Sequence, residues 1–256
     1  MPYFHLAINY FLKKDKGMKR IGILLALICM SAAGTLLAQD KKAQAPSGDK
    51  EKQVNPLYEL HLRTYVQARK YSDMEVAKDA LYRMVVMNPS DSILFELGSL
   101  YYNSSQFIQS VLVMNDVLAV NPNFDQALAM KADGLRRIGA LDKAAESYEG
   151  LYLKTGSVNS LYQLAFIQFD LKRYAEVLTN VDLLLKNPKS KDIKLTFDTA
   201  EGKPVKVDMA LALTNLKGMV AAAEGKRDEA KKLFQEVLAK EPKFSLAKKE
   251  LAKLKN

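Results

Sequence analysis

Leu211–Phe244 reads LALTNLKGMVAAAEGKRDEAKKLFQEVLAKEPKF. Apolar and small residues recur every three or four positions on both sides of Gly225, and Pro242 closes the run. The pattern predicts two short amphipathic helices joined by a tight turn at Gly225 and stopped at Pro242.

Four weaker copies lie upstream. Aligned on Gly218 and Pro242, the copies start at Tyr58, Asp91, Asp125, Val158 and Leu211, with spacings of 33, 34, 33 and 53. The first helix of each carries Tyr65, Gly98, Ala132, Ala165 or Gly218 where its partner helix must approach, small in every copy but the first. The second helix opens with Ala77, Ser110, Ala144, Val177 or Ala230. Four residues on, the same face carries Leu81, Met114, Tyr148, Val181 or Phe234. Helical spacing kept through five copies predicts stacked helix pairs, none able to bury its apolar stripe alone.

The pattern resembles the tetratricopeptide repeat (TPR) family over about Tyr58 to Phe244. Leu97-Gly98 with Tyr101, Gly139 with Ala144, and Gly218 through Gly225, Ala230, Phe234 and Pro242 carry the resemblance. Pro89, Pro122 and Pro242 close three copies, whereas the third ends Lys154-Thr155-Gly156 and the fourth has Pro188 one place early. The resemblance implies an all-α, right-handed superhelical solenoid of five helix pairs, and a role in binding a peptide or protein. The lysines and asparagines with which some members hold a C-terminal carboxylate are not found.

The repeat domain is expected over 57–256. Ser245–Lys255 reads as a capping helix, with Ser245 as its N-cap, an inner face of Leu246, Ala247, Leu251 and Leu254, and lysines outside. No comparable N-terminal cap is evident, so the first repeat is expected to be the least stable. An insertion over 189–209 breaks the helical period. Ile193, Leu195 and Phe197, then Val205 and Val207, alternate with polar residues around a Gly202 loop, predicting a β-hairpin. It either shields a junction between repeats or meets a partner.

Upstream, Met18-Lys19-Arg20 precedes the apolar run Ile21–Ala38. This is the layout of a secretory signal peptide over 18–38, cleaved after about Ala38; an uncleaved membrane anchor is the alternative. Residues 1–17 read as an extension ahead of the true start at Met18. Ile28 before Cys29 argues against a lipoprotein tether. Residues 39–56 are polar and charged and read as a flexible linker. These features predict a periplasmic or secreted protein of a Gram-negative-type envelope. Cleavage would leave 33 basic residues against 28 acidic, no cysteine, and His61 as the one histidine.

That inventory argues against an enzyme. No phosphate-binding loop, no paired metal-ligand spacing and no nucleophile beside a base is found, so neither a metal nor a cofactor is expected. His61 shares a helical column with Leu94, Leu128 and Leu161, a packing position; turnover lost on changing it would revive a degenerate hydrolase. Stacked pairs curve so that their first helices line the concave side. The residues expected there are Phe95, Ser99, Tyr102 and Asn103; Asp133, Arg136 and Arg137; Tyr162, Phe166, Phe169 and Asp170; and Asn215, Met219 and Ala223. Aromatic rings beside an arginine pair suit a peptide-binding wall, unless the phenylalanines pack inward and the arginines are merely solvated. From Lys226 onward ten basic residues face five acidic, offering peripheral contact with an anionic lipid, a glycan or an acidic protein. Export and the interleaved Glu236, Glu241 and Glu250 argue against nucleic acid.

Overall fold

The computed structural model describes residues 55–198, 202 and 204–254, so the expected extension and signal, and the linker up to residue 54, lie outside the described residues. Eleven α-helices and one two-stranded sheet are found among them. The helices are α1 (Pro56–Lys70), α2 (Met74–Met87), α3 (Asp91–Asn103), α4 (Phe107–Val120), α5 (Asp125–Arg137), α6 (Leu141–Thr155), α7 (Val158–Asp170), α8 (Tyr174–Lys186), α9 (Met209–Ala223), α10 (Arg227–Lys240) and α11 (Ser245–Lys253). Strands β1 (Lys194–Phe197) and β2 (Val205–Asp208) lie between α8 and α9. Five helix pairs, a hairpin and a closing helix make an all-α repeat fold. The described residues divide into two compact units, with the boundary inside α3 between Leu97 and Gly98.

One turn is used in all five pairs. Ser72, Ser105, Gly139, Lys172 and Gly225 each take a left-handed backbone, with φ of 60, 59, 77, 60 and 79°. The next residue's N–H reaches back to the carbonyl five before it: Asp73 to Ala68, Gln106 to Tyr101, Ala140 to Leu135, Arg173 to Gln168 and Lys226 to Ala221, at 2.8–2.9 Å. This six-to-one bond satisfies a carbonyl that the helix end leaves open. Two of the five turns use glycine, which takes the conformation without steric cost.

The ends of the second helices also share a cause. Asn88, Asn121 and Glu241 have φ of −159, −137 and −134° with ψ of 88, 88 and 82°, and each precedes a proline. A following proline ring disfavours the helical region for the residue before it. The third pair lacks a proline, and Gly156 closes α6 instead, at φ 65° with its N–H on Tyr152. At the front, α1 begins at Pro56, inside the stretch expected as linker, because Asn55 caps it by accepting from Leu57 N–H at 2.9 Å.

In the first unit α1 and α2 bury Ala68, Ala77, Ala80, Leu81 and Met84. Tyr65, too large for the small position, is half-buried and donates its hydroxyl to Glu96 at 2.5 Å. In the second unit Ala132, Ala144, Tyr148, Leu161, Ala165, Val177, Val181, Leu184, Leu213 and Leu216 belong to one core. Gly98 and Gly218 lie where second helices come closest. An added Cβ would fall 2.1 Å from Met114 Cε and 2.6 Å from Phe234 Cε1 respectively.

The hairpin is antiparallel, with Leu195 opposite Val207 and Phe197 opposite Val205. Its inner face joins Val237, Phe244 and Ala247, and the Phe197 and Phe244 rings lie 4.6 Å apart. Lys194, Thr196, Lys206 and Asp208 are exposed on the other face. Ser245 is not the N-cap of α11; Phe244 holds that position, and the Ser245 hydroxyl donates to the Asp198 carbonyl at 2.7 Å. The serine thus ties the hairpin to the closing helix.

Candidate partner-binding groove

α3, α5, α7 and α9 are the first helices of their pairs and carry the residues expected to face a partner. Asp133 on α5 is the hub within the second unit. It accepts from the Tyr102 hydroxyl on α3, from Arg136 Nη2 and Nε at 2.5 and 3.0 Å, from Arg137 Nε at 3.4 Å, and from the Tyr148 hydroxyl on α6 at 3.5 Å. Burial pushes the Asp133 carboxyl up, but the Tyr102 and Arg136 hydrogen bonds and the two arginine charges outweigh it and hold the group below the usual carboxylate range. Burial, reinforced by Asp133, pushes the Tyr102 phenol up to about 12.

The two arginines differ. Arg136 chelates one Asp133 oxygen, and its charge also opposes the upward push of burial on the Asp170 carboxyl at the end of α7. Arg137 makes the longer bond, is 51% exposed, and lies over the Phe107 ring at 5.7 Å. Phe107 in turn meets the Tyr102 ring edge-on at 5.3 Å. Arg137 is therefore aimed by a carboxylate and a ring while half of its side chain stays exposed. Asn103 is exposed one residue beyond Tyr102.

The aromatic positions are more buried than expected. Phe166 and Phe169 are half-buried against the core, with Phe169 5.7 Å from Tyr174. Tyr162 was expected on the groove wall but is 7% exposed and packs on Phe166 at 4.9 Å, so it supports the wall from behind. Asn215 was also expected there; it is fully buried, with its amide 3.5 Å from Met219 Sδ. Both positions adjoin the inward face: Tyr162 belongs to the same core as Leu161 and Ala165, and Asn215 immediately precedes Leu216 of that core. Met219 is half-buried and Ala223 exposed, while Ser99 donates to Met130 Sδ at 3.8 Å. Phe95 is half-buried and belongs to the first unit.

Phe107 and Tyr148 belong to second helices; Phe107 was not singled out from the sequence, and Tyr148 was read only as a member of the packing column. Tyr148 carried a signal: a hydroxyl in a core column otherwise filled by Leu81, Met114, Val181 and Phe234 needs a polar partner. His61 is half-buried on α1. Among the described residues no three His, Cys, Asp or Glu side chains come together to hold a metal, and no helix is long and apolar enough to cross a membrane.

No family model and no curated protein matches the sequence. Solved structures match the fold. A tetratricopeptide repeat protein from Parabacteroides merdae is 15% identical with a TM-score of 0.62, over 78% of this chain and 73% of that one. MamA from Desulfovibrio magneticus is 13% identical with a TM-score of 0.55, over 72% and 95%. YrrB, described as a TPR protein with an unusual peptide-binding site, is 10% identical with a TM-score of 0.57, over 73% and 88%. Helix pairs with one turn and one small-residue contact column, together with these likenesses, give the chain the fold of the tetratricopeptide repeat proteins.

Proposed function

We propose that this chain is an exported scaffold that binds a peptide or a protein segment through the first helices of its repeats, and is not an enzyme. One observation carries the reading: Arg137 is held in place by Asp133 and Phe107 with half of its side chain exposed. A preset guanidinium loses little freedom on gripping a carboxylate. The exposed parts of Phe166 and Phe169 on α7 add apolar area. YrrB's described peptide-binding site, on the same fold, is in keeping with this role. Export rests on the signal layout of residues 18–38.

Cross-linking capture from the native envelope identifies the partner, and titration of Arg137→Ala against that partner tests the site. The substitution removes a charged hydrogen-bonding group worth about 1.5–3 kcal/mol, a loss of roughly tenfold or more in affinity. Unchanged affinity in a folded variant removes the groove assignment.

A second reading places contact with an anionic lipid or glycan on the C-terminal half. Lys231, Lys232, Lys248 and Lys249 are exposed and unpaired among the described residues. Binding to anionic vesicles that vanishes with added salt supports this reading; a partner retained at high salt supports the groove.

A further inference from the structure

The closing end of the repeat series has a surface unlike the rest. Among the described residues beyond Leu185 no large apolar side chain is exposed, and Phe234 on α10 and Phe244 before α11 are fully buried. What α10 and α11 offer to solvent is charge. Lys231, Lys232, Lys248 and Lys249 are exposed and make no ion pair among the described residues. The acids beside them are taken up locally. Glu236 pairs with Lys240 at 3.3 Å and Glu250 with Lys253 at 2.7 Å, while Glu241 accepts from the backbone N–H of Lys243 at 3.2 Å. Asp228 and Glu229 stand in the first turn of α10, where the helix dipole compensates them. Four lysines are left with no local counter-charge.

These lysines sit on one packed body. Arg227 donates to the Leu254 carbonyl at 2.6 Å, which sets the first turn of α10 beside the last turn of α11. Lys231 lies one turn along α10 from Arg227, on the same side of the helix. Leu251 and Leu254 pack on Ala230 and Phe234, so the apolar side of α11 is used and Lys248 and Lys249 stay in solvent. The composition of this surface selects the kind of partner. A protein interface needs apolar or aromatic anchors at its centre, and a sugar is gripped by stacking on an exposed ring. Neither is present on this end. Anionic headgroups need neither, because they are mobile in the plane of a bilayer and collect opposite fixed lysines with nothing inserted.

We propose that α10 and α11 form a peripheral contact for an anionic phospholipid surface, made by Lys231, Lys232, Lys248 and Lys249. This deepens the second reading and rests on it; it does not rest on the groove, whose arginines lie on α5. The contact is electrostatic throughout, so it forms at the headgroups and is undone by salt.

The test is co-sedimentation of the full chain with vesicles of mixed phosphatidylglycerol and phosphatidylcholine. Vesicles of phosphatidylcholine alone register whatever the apolar run Ile21–Ala38 adds. The wild type is expected to prefer the anionic vesicles and to lose that preference at high salt. A lysine near such a surface contributes about 1 kcal/mol, roughly fivefold. Lys248→Gln with Lys249→Gln is therefore expected to weaken anionic binding by roughly tenfold or more at unchanged helicity. Lys143→Gln with Lys172→Gln makes the same change of charge at exposed sites outside α10 and α11. It is expected to weaken binding less than about threefold, since the attraction fades within a Debye length. Equal losses in the two double variants, or no preference for anionic vesicles, overturn the proposal. Retention on polygalacturonate that needs Lys248 and Lys249, with no vesicle preference, overturns the lipid assignment and leaves the wider reading standing. Binding to neither removes both. Should the α11 variant lose helicity, Lys231→Gln with Lys232→Gln decides in its place.

Discussion

Gly98 and Gly218 stand in the same column, yet substitution should separate them. At Gly218 a new methyl meets the Phe234 ring at three atoms between 2.6 and 3.1 Å, and the ring is fully buried. At Gly98 the closest atom is Met114 Cε, the far end of a flexible side chain. Gly218→Ala is expected to cost about 1–3 kcal/mol through overpacking, and Gly98→Ala less, because Met114 turns aside and alanine favours the helix. Urea melts of the two variants check the order. A second contrast lies in the turns. Lys172 and Ser105 hold a conformation that disfavours side chains, so Lys172→Gly is expected to gain about 0.5–1 kcal/mol and Gly225→Ala to lose about 1–2 kcal/mol. At this scale the sequence was only half legible. Gly139 and Gly225 announce a left-handed turn; a serine or lysine in the same place announces nothing, and only the 33- and 34-residue spacing points to it. Asp133, three and four residues before Arg136 and Arg137, was visible as a neighbour. The Tyr102 and Tyr148 hydroxyls that also donate to Asp133 come from α3 and α6, and no local spacing announces them.

At the scale of elements the reading of helix pairs, hairpin and closing helix holds, because period and breakers are local properties. The packing of the hairpin is not local. Phe197 and Val207 meet Val237 on α10 and Phe244 and Ala247 beyond it, at the far end of the chain from α8. The hairpin therefore completes the core at the end of the series, and its inner face is occupied. Phe197→Ala is expected to cost about 2 kcal/mol, below the range for a fully buried ring because Phe197 is only partly buried. The effect should be uneven. α11 has nine residues and leans on Phe244 and the Ser245–Asp198 bond, so its amides should lose hydrogen-exchange protection before those of α7 or α8. Uniform loss of protection would mean that the hairpin supports the whole unit rather than its end.

At the scale of the whole molecule, protons reach stability through the Asp133 hub, which joins three helices. Its folded pKa lies below the unfolded value of about 3.9, so the native state binds fewer protons than the unfolded chain in that range. The resulting stability is complete above about pH 4 and is lost as pH falls through the folded value. Tyr102 acts in the opposite direction. Its folded pKa of about 12 stands above the ordinary phenol value of about 10, so its contribution is complete below pH 10 and fades between about 10 and 12. Asp133→Asn should therefore lower stability at pH 7 by about 1–3 kcal/mol and flatten the acid limb of the stability profile. Tyr102→Phe removes a hydrogen bond that holds the Asp133 carboxyl down, so it should shrink the acid limb as well. It should also take away its own share of the alkaline limb, which the buried phenols of Tyr148 and Tyr162 also carry. Urea midpoints measured from pH 3 to 11 separate the two, and an acid limb unchanged in Asp133→Asn would place the controlling carboxylate elsewhere. The same experiment bears on binding, since Asp133 aims Arg137. If the hub presets the guanidinium, partner affinity should fall in Asp133→Asn even at pH 7, where the variant remains folded.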